Sequence, residues 1–385
     1  MLENVEYSQF ENEPREWKFE KCTFERINLI VGKNATGKTR TINILRGLAE
    51  LLSSANTLPW SEGDYCVKLN FDGQAYSYAL KYHERKVVFE ELKIDGDLRL
   101  TRDESGVGKL FAAKVGEQGD FIQFKTDIDK IACSVKKDSI QHPYLDKLNE
   151  WARGVIRYRF NTLLGKGDVF LAQNDEYKLD ADMKISIKDT EKVIGIFLQG
   201  QGEYPDKFNQ AIVDDMRYLD YDIQDVGIDV FEGVTIRPPL PLSGVPSGLF
   251  VKEADLPINT RQNDMSDGMF RALSVLIQVN YALLSGQATC ILIDDIGEGL
   301  DYSRSSALVK LIVEKAEGSN IQLIMATNDR FIMNAVPLEY WLVLIRDGGH
   351  VSNLNYRNSK DLFDEFQSIG LNNFDFFSSG YYKRG

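Results

Sequence analysis

INLIVGKNATGKTRTINILRGLAELL, residues 27–52, decides the fold. Its opening, INLI (27–30), is a nearly continuous apolar run, as in a strand buried on both faces of a parallel sheet. Beyond the glycine-bearing loop, Ile42, Leu45, Ala49 and Leu52 recur at helical spacing, with Arg46 and Glu50 opposite them. The loop between strand and helix, GKNATGKT (32–39), fits the pattern GxxxxGK[ST] in full.

That pattern has a physical purpose. Gly32 and Gly37 let the backbone turn back so that successive N–H groups face an anion, and the helix N-terminus beneath adds partial positive charge. Lys38 would reach the β- and γ-phosphates of a nucleoside triphosphate, and Thr39 would ligate Mg²⁺ through its hydroxyl. A chance match in a glycine-containing turn is the plain alternative; the correct strand before and helix after argue against it.

The rest of the chain sets the frame around this loop. With 385 residues, 43% of them hydrophobic, the length suits one large domain with an insertion or two domains sharing a core. No apolar run reads as approaching the roughly 18 residues needed to span a bilayer. The start, MLENVEYSQFENEPREWKFE, resembles neither a signal nor a transit peptide, so a cytoplasmic location with no membrane partner is expected. Cys22, Cys66, Cys133 and Cys290 form no CxxC pair and read as reduced thiols. A net charge of −13 argues against nucleic-acid binding as a property of the whole surface, while leaving a local basic groove open.

Residues 64–125 read as a β meander, with hairpin signals where DYCVKLNFD and AYSYALKYH flank GQ, and where KVVFEELKI and LRLTR flank DGD. A helix is expected from His142 leading toward a strand, and another over FNQAIVDDMRYL from Phe208. YDIQDVGIDVFEGVTI follows as a strand region, and RPPLPLSGVPSG (237–248) reads as a loop. From Met265 the pattern becomes long apolar α/β units: a helix apolar on every side, the strand CILIDD, an amphipathic helix, the strand IQLIMATND, and a hairpin turning at DGG. Such alternation implies a mostly parallel sheet flanked by helices, with the meander as an antiparallel β lobe.

Three downstream stretches complete the chemistry. ILIDDIGEGLD (291–301) is an apolar strand ending in acids, and Asp294 there can hold the Mg²⁺ shell across from Thr39. MSDGMFR (265–271) opens the apolar helix, where Ser266 can cap and Gly268 lets an N–H approach a phosphate. The order of phosphate loop, SDG helix, IDD strand and GLD resembles the ABC-type ATPases. The likeness is to their soluble branch, which includes the chromosome-maintenance (SMC), RecF and OLD-like ATPases, and best to the compact heads, since no heptad arm is present. The fold this implies is an α/β P-loop head, with residues 1–135 as an N-terminal lobe, 136–260 as an insertion, and 261–385 as a C-terminal lobe.

The resemblance implies ATP and Mg²⁺ as cofactors, held by Gly32, Lys33, Asn34, Ala35, Thr36, Gly37, Lys38, Thr39 and Arg40. It further implies that Ser266 and Gly268 belong to the signature and Asp301 to the D-loop, each completing the site of a second copy in an ATP-sandwiched dimer. Two positions depart from the family. Asp295 stands where a glutamate orients the attacking water, and Asn328 in ATNDR (326–330) stands where a histidine touches the γ-phosphate. Both departures imply slow hydrolysis. Glu298 could serve as general base if its loop turned inward, or be a solvated acid. Gln123 in FIQFK is the candidate for the glutamine that reaches the metal, or an ordinary strand residue.

The functional expectation is a slowly hydrolysing, dimerising ATPase that acts as a switch for a separately encoded effector such as a nuclease or toxin, in anti-phage defence or DNA repair. The alternative is the energy-coupling subunit of a membrane transporter. A small-molecule kinase would leave SDG and IDDIGEGLD unexplained. Two stretches are candidate partner surfaces. ARGVIRYRF (152–160) with Arg153, Arg157 and Arg159 is either a solvated face or a nucleic-acid groove. In the aromatic C-terminus, Phe374, Phe376 and Phe377 are expected to pack on the core, leaving Tyr381 and Tyr382 with Lys383 and Arg384 as a docking tail.

Overall fold

The structure, a computed structural model, describes residues 1–54, 58, 60–113, 119–160, 162, 164–172, 184–231 and 245–384. Five parallel strands form its centre, in the spatial order Val155–Arg159, Cys290–Asp294, Gln322–Ala326, Ile27–Val31 and Trp341–Asp347. Their carboxyl ends lie on one edge, so the loops that follow them gather there.

The apolar run at residue 27 behaves as expected for a doubly covered strand. Ile27, Leu29 and Val31 face one core and Ile30 the other. Asn28, the polar interruption, is satisfied by accepting from Glu25 N at 2.9 Å and donating to Glu25 O at 2.7 Å. On the Ile30 side lie the helix Lys38–Ser53 and the helix Pro143–Arg153. On the other side the helix Asp267–Ser285 packs against Val193–Glu203 and Pro205–Tyr218. Burying each Leu, Ile or Phe of these faces contributes roughly 1.5–3 kcal/mol. Contrary to the reading of apolar run length, Asp267–Ser285 is long and apolar enough to cross a membrane; here Phe270, Leu273, Leu276 and Ile277 are fully buried in the protein core.

The antiparallel lobe is not a separate sheet. Beyond Trp341–Asp347 come His350–Asn355, Trp17–Thr23, Leu2–Gln9 and Glu62–Phe71, then four further strands and the edge strand Asp120–Lys125, giving one mixed sheet of 14 strands. The second hairpin turns within DGD as expected, while the first turns at Asp72–Gly73, one residue before the expected GQ. Asp72 and Gly73 have φ of 53° and 84°, and Asp95 and Gly96 have 52° and 89°, as a two-residue turn between right-twisted strands requires. Inside the lobe, Glu90 is fully buried. Its carboxylate accepts from the backbone N–H groups of Ala132 and Cys133 at 2.8 and 2.9 Å, from the Tyr78 hydroxyl at 3.2 Å, and pairs with the buried Arg102 at 3.6 Å.

A smaller antiparallel sheet contains Phe170–Ala172, Val245–Glu253, Ile223–Val230 and Thr260–Arg261. The expected loop 237–248 is corrected at its end, where Val245–Gly248 begin a strand; the remainder of it lies outside the described residues. The docking tail is corrected as well. Tyr381 and Tyr382 are 6% and 4% exposed, because Tyr381 packs on Phe366 and Phe376 and Tyr382 stacks on Phe377.

Candidate functional site

The phosphate loop is held open by two glycines that nothing larger could replace. A Cβ on Gly32 would lie 2.5 Å from Thr36 Oγ1, and one on Gly37, at φ 108°, would lie 2.7 Å from the Trp17 ring. The faces of Trp17 meet the guanidinium groups of Arg40 and Arg346 at 4.1 and 4.8 Å from the ring centroid. Arg346 also donates to Ala35 O at 2.8 Å, pinning the tip of the loop. Lys33, Asn34 and Ala35 are exposed at that tip.

Lys38 is 7% exposed and donates to Gly32 O at 2.8 Å and Lys33 O at 3.1 Å. An ammonium has three donors, so one remains for a phosphate oxygen. Burial pulls the Lys38 pKa down, opposed by the neighbouring Asp295 and Asp294 carboxylates.

The acidic strand meets the loop directly. The Thr39 hydroxyl donates to Asp294 Oδ1 at 3.0 Å, across 255 positions of sequence. These two oxygens suit Mg²⁺, which is commonly held by one or two protein groups together with substrate phosphates and water. The residues present therefore fit both the metal and the triphosphate.

Asp295 follows with φ 56°, a left-handed conformation that Asp tolerates better than most residues. Burial raises its carboxyl pKa, with Asp294 and Glu298 adding to the shift and Lys38 opposing it. Asp295 thus stands among the charges of the site. Glu298 is exposed on the loop beyond it, and Asn328 is exposed just after the neighbouring strand Gln322–Ala326.

The residues expected as the signature lie elsewhere. Ser266 caps Asp267–Ser285, its hydroxyl accepting from Met269 N at 3.2 Å. Lys166 anchors the same turn by donating to Met265 O at 2.7 Å and to Asp267 at 2.6 Å. Gly268 packs against the D-loop so closely that a Cβ would stand 2.6 Å from Gly299 O. Arg271 closes this contact by donating to Glu298 O at 3.1 Å and Thr162 O at 3.2 Å. Asp301 caps Tyr302–Glu317 through Arg304 N at 3.0 Å. Among the described residues, no hydrogen bond or ion pair links Met265–Gly268 to Gly32–Thr39.

Gln123 does not join the site. It lies exposed on Asp120–Lys125, the far edge of the 14-stranded sheet. The strand beside Asp294 is Val155–Arg159, with Arg159 in register with Asp294. The sequence reading put Gln123 at the end of the meander, and the sheet order places that strand ten positions from the strand that leads into the phosphate loop.

Sequence reasoning also missed Arg157. It is not a solvated side chain: its guanidinium is 6% exposed and donates to Asp294 Oδ2 at 3.0 Å. A signal was present in VIRYR, where an arginine alternates with apolar residues on a strand short enough to be buried.

No family model and no curated protein matches the chain. Among solved structures it is similar to an Smc head bound to the C-winged helix domain of ScpA, at 14% identity over 94% of this chain and 99% of that one, with a TM-score of 0.51. It is also similar to an Smc head domain with an extended coiled coil bound to the C-terminal domain of ScpA, derived from Pyrococcus furiosus. There the identity is 12% over 95% of this chain and 99% of that one, with a TM-score of 0.51. The chain has the α/β fold of these heads.

Proposed function

We propose that the protein is an ABC-type ATPase that binds Mg²⁺ and ATP, hydrolyses slowly, and dimerises around the nucleotide to act as a switch for a partner protein. The carrying observation is the 3.0 Å contact of Thr39 with Asp294 beside the buried Lys38. Bound Mg²⁺ would supply charge compensation to the β- and γ-phosphates. The chain's own residues do the rest: loop N–H groups and Lys38 hold the phosphates, and Asp295 orients the attacking water.

The separation of Ser266 and Gly268 from the phosphate loop of the same chain supports a two-copy site, in which each signature meets the other copy's nucleotide. Asp295, one methylene shorter than a glutamate, supports slow turnover. The similar Smc heads are bound to ScpA, which favours a protein partner here too. We assign that partner to a separately encoded effector, such as a nuclease or toxin of defence or repair.

The test is calorimetry and light scattering on the full chain. Lys38→Ala should lose ATP binding, while Ser266→Arg should keep binding and lose the ATP-dependent doubling of mass. Unchanged affinity in the first variant, or an undiminished dimer in the second, rejects the corresponding assignment.

A further inference from the structure

A cavity of about 580 Å³ lies between the helix Lys38–Ser53, the edge strand Val155–Arg159, the residues Thr162, Leu164 and Asp168, and the stretch 188–192. No residue of Gly32–Thr39 lines it. Its basic lining is Arg46, Arg157, Arg159, Lys188 and Lys192, in a chain of net charge −13. Arg46 is paired with Glu50 at 2.5 Å, Lys192 with Asp189 at 3.3 Å and Arg157 with Asp294 at 3.0 Å, which leaves Arg159 and Lys188. Asp168 and Glu191 also line the cavity. Among the described residues, however, neither Arg159 nor Lys188 has a carboxylate partner within 4.0 Å.

Arg157 is the unusual member. One of its nitrogens holds Asp294, while Nε and Nη1 are buried with no hydrogen-bond partner. Buried guanidinium donors are costly to leave unmade; Nε and Nη1 lie on different edges of the group, so each would donate singly to a phosphate oxygen. Lys188 stands across the cavity, donating to Ala152 O at 2.7 Å and Ser53 Oγ at 3.2 Å, with one donor left.

We propose that this cavity is a second anion site, built for a phosphate monoester on a nucleotide-sized group. Its volume falls within the roughly 300–1,000 Å³ of small-molecule sites, too large for a lone ion. The phosphate lies between Arg157, Arg159 and Lys188.

The site is coupled to the metal through Asp294. That carboxylate is shared between Thr39 and Arg157, so the guanidinium competes with a divalent cation for it. A phosphate held by Arg159 and Lys188 beside Arg157 offsets the guanidinium charge and weakens its hold on Asp294. Anion and Mg²⁺–ATP then strengthen each other's binding by the same factor. This second half rests on the ATPase reading; the anion site itself does not.

The experiment titrates the full chain carrying Lys38→Ala, which silences the phosphate loop, with uridine 5′-monophosphate, uridine, and a thymidine tetranucleotide with or without a 5′-phosphate. We expect phosphorylated probes to bind at least tenfold more tightly than their unphosphorylated counterparts. Arg159→Gln with Lys188→Gln, on the open side of the cavity, should remove that difference without disturbing Asp294. Binding of the mononucleotide alone identifies a free nucleotide as the source; binding of the tetranucleotide as well identifies a strand end. Equal or absent binding of all four probes overturns the site. In the wild type, uridine 5′-monophosphate should lower the Kd for Mg²⁺–ATP, and in Arg157→Gln it should not. Retained ATP binding in Lys38→Ala would instead count against the ATPase reading and leave the anion comparison intact.

Discussion

Gly268→Ala adds one methyl group where the helix Asp267–Ser285 meets the D-loop. The new Cβ would stand 2.6 Å from Gly299 O and 3.2 Å from Leu300 Cδ2, whereas ordinary contact begins near 3.4 Å. The two backbones must therefore part by about 0.8 Å, the difference between 3.4 and 2.6 Å. Neither side has slack. Asp301 fixes the D-loop as the cap of the next helix, and Arg271 ties Glu298 O to the signature helix at 3.1 Å. Overpacking of this kind costs about 1–3 kcal/mol, which a folded domain of this size should survive. The catalytic cost is larger in proportion, because a misplacement of about 1 Å can reduce rate on the order of a hundredfold. Calorimetry should show ATP affinity within about twofold of wild type, since among the described residues no hydrogen bond or ion pair joins Gly268 to Gly32–Thr39. Steady-state turnover should fall by about one to two orders of magnitude, and the ATP-dependent dimer should loosen in light scattering. A folded variant with full turnover and an intact dimer would refute the idea that this contact positions the shared site.

Three further outcomes are expected. Asp295→Glu should preserve or raise turnover and Asp295→Asn lower it; an unaffected Asp295→Asn beside an inactive Glu298→Gln would move the general base to Glu298. Glu90→Gln and Arg102→Met should each destabilise by about 3–5 kcal/mol in denaturant titrations, because each strands a buried charge; a loss below about 1 kcal/mol would show that the lobe relaxes around it. Burial lowers the Lys188 pKa to about 8 from its ordinary 10.5, so across that window the unfolded chain holds more protons and stability rises with pH. In Lys188→Met that rise should shrink by up to about one proton's worth of slope, and an unchanged slope would argue that the ammonium is solvated.

Local chemistry was legible, and long-range pairing was not. GKNATGKT, the two Asp-Gly hairpin turns and the all-round apolar helix after Met265 each carry their structure within a few residues. Asp294 was readable because an apolar strand ending in an acid has few other purposes beside a phosphate loop. Gln123 failed because strand order is set by packing across the whole sheet, which no stretch of its own meander encodes. Arg157 failed for a related reason. Its partner is 137 positions away, and a buried arginine and a solvated one look alike until the neighbouring strand is known. The joining of lobe and centre into one sheet was likewise hidden, since it depends on the short parallel pairing of His350 and Val351 with Lys18 and Phe19.

The order of strands also bears on how the chain is made. Ile27–Val31 is made roughly 300 residues before the strands that flank it, Gln322–Ala326 and Trp341–Asp347. At about 5–20 residues per second, this apolar segment waits roughly 15–60 s for its neighbours. During that interval its N–H and C=O groups and both faces are open to other chains, and loop-closure entropy makes the final docking slow. The antiparallel lobe, built from sequential hairpins, can form in the meantime. The loop after Ile27–Val31 is thus translated well before the strands that enclose it, so newly made chains should depend on chaperones more than the local regularity of the lobe suggests.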